Sequence, residues 1–140
     1  VDEVDFSNYW YGEYIELMPG KFKIDRKSAE NMQQVGEKTV RYSDLDYNGH
    51  MNNTYYLDTL CDYIPELAVG THRVSFFRIH YSKEAPLGEK LTIFRDEGCL
   101  LTEEEKTAYK VPAEKKYLFR TIKADGGLNV EAEITVTPLR

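Results

Sequence analysis

The cleanest pattern of apolar and polar positions lies near the C-terminal end. In LNVEAEITV, Leu128, Val130, Ala132, Ile134 and Val136 alternate with Asn129, Glu131, Glu133 and Thr135, the two-residue period of a strand. The alternation predicts the first set facing inward and the second facing water. KYLFRTIKA precedes it across Asp125-Gly126-Gly127, a tight-turn signal that makes the pair a hairpin. In THRVSFFRIHYSKEA, Phe77, Ile79 and Tyr81 alternate with Phe76, Arg78 and His80, so both faces of that strand are expected to be partly buried. EKLTIFR follows the break at Pro86-Leu87-Gly88, with Leu91 and Ile93 in register. An earlier strand is expected around Lys38–Tyr42, with Val40 and Tyr42 on one side. Between them NNTYYLDTLCDYIP fits a helix of about three turns, since Asn52 or Asn53 can cap it and Tyr56, Leu60, Tyr63 and Ile64 fall near one face. Pro65 stands where that pattern runs out. Residues 101–116 are charged and read as an extended hairpin connection or an insertion.

The order is strand, helix, then about four strands joined by connections suited to antiparallel pairing. The expected class is α+β: a curved antiparallel five-stranded sheet wrapped around a central helix, one helix being enough to cover one face. Residues 1–34, with aromatics but no sustained period and a Pro19-Gly20 turn signal, read as an N-terminal extension or inter-domain linker. Residues 35–140 read as the domain itself. Phe6, Trp10 and Ile15 are poor choices for a free linker, so part of the extension is expected to pack on something. An open sheet edge invites a partner domain.

Composition changes this picture little. A length of 140 residues with 41% hydrophobic and 30% charged positions is that of one globular domain. A net charge of −6, without a basic stripe, argues against nucleic acid as a partner. No apolar run reaches the length of a membrane span. Two cysteines, Cys61 and Cys99, suggest neither a disulfide framework nor a zinc site, and a reducing, cytoplasmic setting is the default. Cys61 reads as core and Cys99 as a strand-end or turn residue. His72 and His80 read as a surface residue and a strand residue; with His50 they show no metal-ligand spacing. A start at Val1 fits processing, truncation and a fragment equally.

The chemistry concentrates in RYSDLDYNGHMNN, residues 41–53. This loop leads into the helix, where backbone N–H groups are free and the helix dipole is positive. Asp46, Asn48 and His50 alternate by two, a spacing that in an extended loop turns all three toward one cavity. His50 titrates in a useful range, and Gly49 allows close approach of backbone to a ligand. Main-chain amides around His50 and Met51 can stabilise an oxyanion. The same residues also suit plain structural duties: Asp44 and Asp46 for turn hydrogen bonds, Asn48-Gly49 as a turn pair, and Asn52 or Asn53 as a cap. Glu84 follows the buried-looking strand and precedes Ala85-Pro86. It can serve as a base at a strand end, or pair with Lys83 or Arg78 on the surface. No serine or cysteine nucleophile motif accompanies His50.

SDLDYNGHMNN followed by a helix, and YSKEA after the next strand, resemble the acyl-acyl-carrier-protein thioesterases of the plant and bacterial fatty-acid type, within the hotdog-fold superfamily. The similarity covers about residues 35–137. It implies a hotdog fold and hydrolysis of an acyl thioester, with Asp46, Asn48, His50 and Glu84 catalytic and Gly49, Met51 and Asn52 positioning the substrate or oxyanion. Where the family has a cysteine after the glutamate this chain has Ala85, which disfavours a thiol nucleophile and leaves carboxylate-assisted attack of water. Asp46 as base or nucleophile is the competing assignment. The partners implied are an acyl carrier protein bearing a fatty acyl chain and a second hotdog domain or a second copy of the chain; no cofactor or metal is called for. Acyl-CoA is the alternative substrate, and a noncatalytic half of a two-domain enzyme is the alternative role. Lys21, Lys23, Arg26 and Lys27 form a local basic cluster that can receive an acidic carrier protein, with Lys115 and Lys116 as another.

Overall fold

A computed structural model of the chain describes residues 22–45 and 53–139. The elements in order are α1 (Arg26–Glu30), β1 (Gln33–Thr39), a 3₁₀ turn at Tyr42–Asp44, α2 (Asn53–Cys61), α3 (Pro65–Ala68), β2 (His72–Tyr81), β3 (Lys90–Arg95), β4 (Cys99–Leu100), α4 (Glu103–Lys106), β5 (Lys115–Ile122) and β6 (Leu128–Pro138). The sheet runs β1-β3-β5-β6-β2, all neighbours antiparallel, and the two-residue β4 also pairs with β5. This is the α+β hotdog arrangement that the sequence predicts, with β4 added to the five-strand path.

The core sits between the sheet and α2. Leu57, Leu60 and Ile64 meet Val74, Phe77, Ile93, Tyr117, Phe119 and the β6 residues Ala132, Ile134 and Val136 in one cluster. Ile64 then caps α3, and Pro65 is its first residue, where a missing N–H costs nothing. The first strand begins five residues earlier than the apolar pattern suggests. Val40 is buried just beyond its end, and Tyr42 is exposed on the 3₁₀ turn rather than beside Val40. Gly36 is required because a Cβ there would overlap the Tyr63 ring.

The outer face of the sheet corrects the sequence reading. Glu131 and Glu133 are only 2% exposed, and Asn129 and Thr135 are fully buried. None of them faces water. Asn129 turns to the helix side, and two segments cover the outer face that carries Glu131 and Glu133. Phe22, Ile24 and Met32 form a cluster against which Ala29, Phe94 and Leu118 pack, so residues 22–32 lie on the sheet. Residues 101–116 are not an extended connection: Thr102 and Glu105 form a capping box for α4, and Tyr109 beyond it stacks edge-on against Phe76 and donates to Glu133. The buried carboxylates are paired, as buried charge requires. Arg78 donates to Glu133 at 2.5 Å, Arg120 to Glu131 at 3.2 Å, and the Ile24 N–H to Glu131 at 3.4 Å.

Candidate functional site

Of the residues singled out from the sequence, Phe6, Trp10, Ile15, Lys21, Asp46, Asn48, Gly49, His50, Met51 and Asn52 lie outside the described residues. The two flanks of the 46–52 segment are described, and they converge. Leu45, the last residue before it, packs against a cluster of Val40, Tyr56, Ala85, Leu91 and Val130. Tyr56 is on the first turn of α2, the element that follows the segment. Ala85 is the residue after Glu84. A single apolar cluster thus holds both ends of the polar loop and the neighbour of the candidate carboxylate.

Asp44 has a structural duty. Its carboxylate accepts from the Arg41 N–H at 2.8 Å and pairs with Lys38 at 2.9 Å, closing the 3₁₀ turn that launches the loop. Glu84 is exposed in the turn between β2 and β3. Arg78, one surface partner considered for it, instead gives its guanidinium to Glu133 and lies over the Phe22 ring.

The turn that carries Glu84 is fastened from beneath. The β5–β6 pairing runs Thr121↔Val130 and then Ile122↔Leu128, leaving Asn129 as an extra residue in β6. Such a bulge turns a side chain from its expected face, and Asn129 points toward α2. Its Oδ1 accepts from Tyr56 Oη at 2.9 Å and Thr121 Oγ1 at 2.8 Å, and its Nδ2 donates to the Lys83 carbonyl at 2.7 Å. Its own carbonyl receives the N–H groups of Ser82 and Lys83. Burial pushes the Tyr56 phenol up to about 12 against a smaller opposing effect of the Asn129 bond, so the hydroxyl remains a donor. Sequence reasoning missed Asn129 because strict alternation places it on the outer face.

Two further reactive groups among the described residues, Cys61 and His72, are inert or engaged. Burial, with Asp58 and Asp62 nearby, pushes the Cys61 thiol far above its ordinary value. His72 is half-buried, with Nε2 2.7 Å from Glu114 and Nδ1 2.8 Å from Thr71 Oγ1. Of the basic cluster, Lys23 and Lys27 are exposed, and Arg26 pairs with Glu30 along α1 at 3.3 Å. Lys23 and Lys116, far apart in sequence, line one open cavity of about 300 Å³ on the outer face, together with Phe22, Asp25, Arg78 and Glu133.

The model of the acyl-ACP thioesterase C-terminal domain matches residues 26–135. A chloroplastic dodecanoyl-[acyl-carrier-protein] hydrolase of Cinnamomum camphora is 33% identical over 69 residues, which are 49% of this chain and 18% of that protein. The fold is similar to that of an acyl-ACP thioesterase from Bacteroides thetaiotaomicron (TM-score 0.60, 23% identity), covering 86% of this chain and 42% of that one. It is also similar to a probable thioesterase of Escherichia coli (TM-score 0.58, 19% identity), covering 75% of this chain and 81% of that one. The chain therefore spans under half the length of the Bacteroides protein and about four fifths of the Escherichia one.

Proposed function

We propose that this chain, which belongs to the acyl-ACP thioesterase C-terminal domain family, carries the catalytic groups of a hydrolase that releases a free fatty acid from an acyl carrier protein. The observation that carries this reading is the shared cluster of Leu45, Tyr56 and Ala85, which draws both flanks of the Asp46–Asn52 loop to the turn bearing Glu84. In this reading Glu84 takes a proton from water as the water oxygen attacks the thioester carbonyl. His50 and Asn48 orient water or carbonyl, and Asp46 supports His50. Main-chain N–H groups about Gly49, Met51 and Asn52 hold the oxyanion. Collapse of the tetrahedral intermediate breaks the C–S bond, and the departing thiolate takes up the proton.

A base exposed to bulk water is a weak catalyst, because a wet site screens every interaction within it. Glu84 is exposed in the chain by itself, and β2 pairs only with β6 among the described residues. A second hotdog domain, or a second copy, laid along β2 would cover the site and complete the acyl pocket. Lys21, Lys23, Arg26 and Lys27, joined by Lys116, would steer an acidic carrier protein.

Steady-state hydrolysis of acyl-carrier and acyl-CoA substrates, by the chain alone and with its paired domain, tests the reading. Glu84→Gln is expected to lower turnover by at least ~10², the range for an acid–base group; near-parental turnover removes Glu84 from the mechanism. A higher kcat/KM for acyl-CoA would reassign the substrate. Reversing the charges of residues 21–27 is expected to raise KM for the carrier-bound substrate more than for a small thioester. Equal effects would reject the docking surface.

A further inference from the structure

The buried amide of Asn129 is in the wrong place for a strand that only needs to fill a core. A residue on the helix side of β6 would satisfy packing with any aliphatic group, as Val130 does beside it. Instead a fully buried asparagine sits at a bulge, with three partners on three different elements. Its orientation is fixed by those partners. Thr121 Oγ1 already accepts the Val130 N–H at 3.2 Å, so its proton goes to Asn129 Oδ1, as does that of the Tyr56 phenol. That leaves Nδ2 facing the Lys83 carbonyl, the peptide group that leads directly into Glu84. The Asn129 main chain clamps the same turn through the N–H groups of Ser82 and Lys83, at 2.9 and 3.3 Å.

We propose that Asn129 is a positioning residue for Glu84, fixing the carboxylate's turn relative to α2 by bonding Tyr56 on the helix and the Lys83 carbonyl with one rigid amide. The proposal rests on the hydrolase reading for its catalytic consequence but not for the coupling itself. A misplacement of the base by about 1 Å is enough to slow chemistry severely while leaving substrate binding intact. Removal of either arm should therefore act on turnover rather than on affinity. The amide also explains the bulge: without the extra residue, position 129 would face the outer side of the sheet, as its neighbour Glu131 does.

The test uses Asn129→Asp, which keeps shape and both acceptor bonds but cannot donate to the Lys83 carbonyl. It also uses Tyr56→Phe, which removes only the helix arm and keeps the ring. Two quantities are read: kcat and KM for acyl-thioester hydrolysis, and amide hydrogen exchange at Ser82 and Lys83. Both variants are expected to lower kcat, Asn129→Asp by at least ~10-fold, with KM within ~2-fold. Both should speed exchange at Ser82 and Lys83 by ~10-fold or more beyond any change in global stability. Thr135→Val, at the buried hydroxyl pair with Ser75 elsewhere on β6, should change stability without selectively altering either readout. If Asn129→Asp does not fold, Tyr56→Phe decides. Unchanged exchange and unchanged kcat, while Glu84→Gln abolishes turnover, overturns the positioning role and leaves the hydrolase reading intact. If the parent hydrolyses no thioester, that reading fails alone, and exchange at Ser82 and Lys83 still upholds or overturns the coupling.

Discussion

The side of β6 that meets α2 is held by apolar contact; the opposite side, equally dry, is held by ion pairs and hydroxyls. Val130, Ala132, Ile134 and Val136 are fully buried against the helix side. Glu131 and Glu133 are buried against Phe22, Ile24 and Tyr109, which come from a segment more than a hundred residues away or from across a connection. The inner face is stabilised by removing hydrocarbon from water, a non-directional force. The outer face gains little net energy from charge pairing, because desolvation offsets it. It holds two particular segments in particular places.

The largest effect should come from the inner face. Phe119→Ala is expected to cost about 3–5 kcal/mol of unfolding free energy by urea titration, combining lost transfer energy with a cavity; Phe119 is fully buried. A loss below about 1 kcal/mol would mean the helix–sheet core is looser than drawn. On the outer face, Glu133→Ala should cost about 2–3 kcal/mol, less than a fully buried pair because Arg78 retains 27% exposure. The distinguishing result is the double replacement Arg78→Met with Glu133→Leu. It should recover most of that loss, whereas no second substitution on the polar face should restore Phe119→Ala. If the double replacement is as unstable as Glu133→Ala, the pair contributes more than position.

These differences set what the residue pattern could disclose. The inward positions Val130, Ala132, Ile134 and Val136 of β6, the Asp125-Gly126-Gly127 turn and the helix beginning at Asn53 were legible because each is encoded locally, by period or by turn chemistry. Burial of Glu131 and Glu133 was not legible. Alternation reports which residues share a face, and says nothing of what lies over that face. Asn129 was misassigned for a different reason: a one-residue bulge reverses facing, and no residue type in LNVEAEITV announces it. Asp44 was legible as a turn carboxylate, and its bond to the Arg41 N–H bears that out. The candidate loop was legible as a concentration of polar groups, since ten of its thirteen residues carry a hydrogen-bonding side chain.

Smaller effects sharpen the same contrast at the sheet's margins. Gly36→Ala should cost about 1–3 kcal/mol by overpacking, because the added methyl meets the Tyr63 ring. The backbone that carries the ring is held, since the Tyr63 carbonyl accepts from Arg95 at 2.5 Å. An unchanged urea midpoint would show that the ring yields. At the end of the sheet beside α3, burial alone would raise Glu66, but hydrogen bonds from Lys115 at 2.8 Å and Tyr117 at 2.6 Å hold it down at about 2, from an ordinary 4.5. A carboxylate with a depressed native pKa contributes stability above its unfolded value and loses it as pH falls. Stability should therefore decline between pH 4.5 and about 2, and Glu66→Gln should flatten that part of the profile. Parallel profiles for the two proteins would remove Glu66 as its source.

We propose that the loop before α2 and the turn after β2 act on one thioester. The most direct test is a crystal structure of the chain with its paired domain or second copy and a non-hydrolysable acyl thioester analogue. The analogue's carbonyl is expected between Glu84 and the side chains of Asn48 and His50, screened from bulk water. A carbonyl bound elsewhere, with Glu84 still in open solvent, would contradict it.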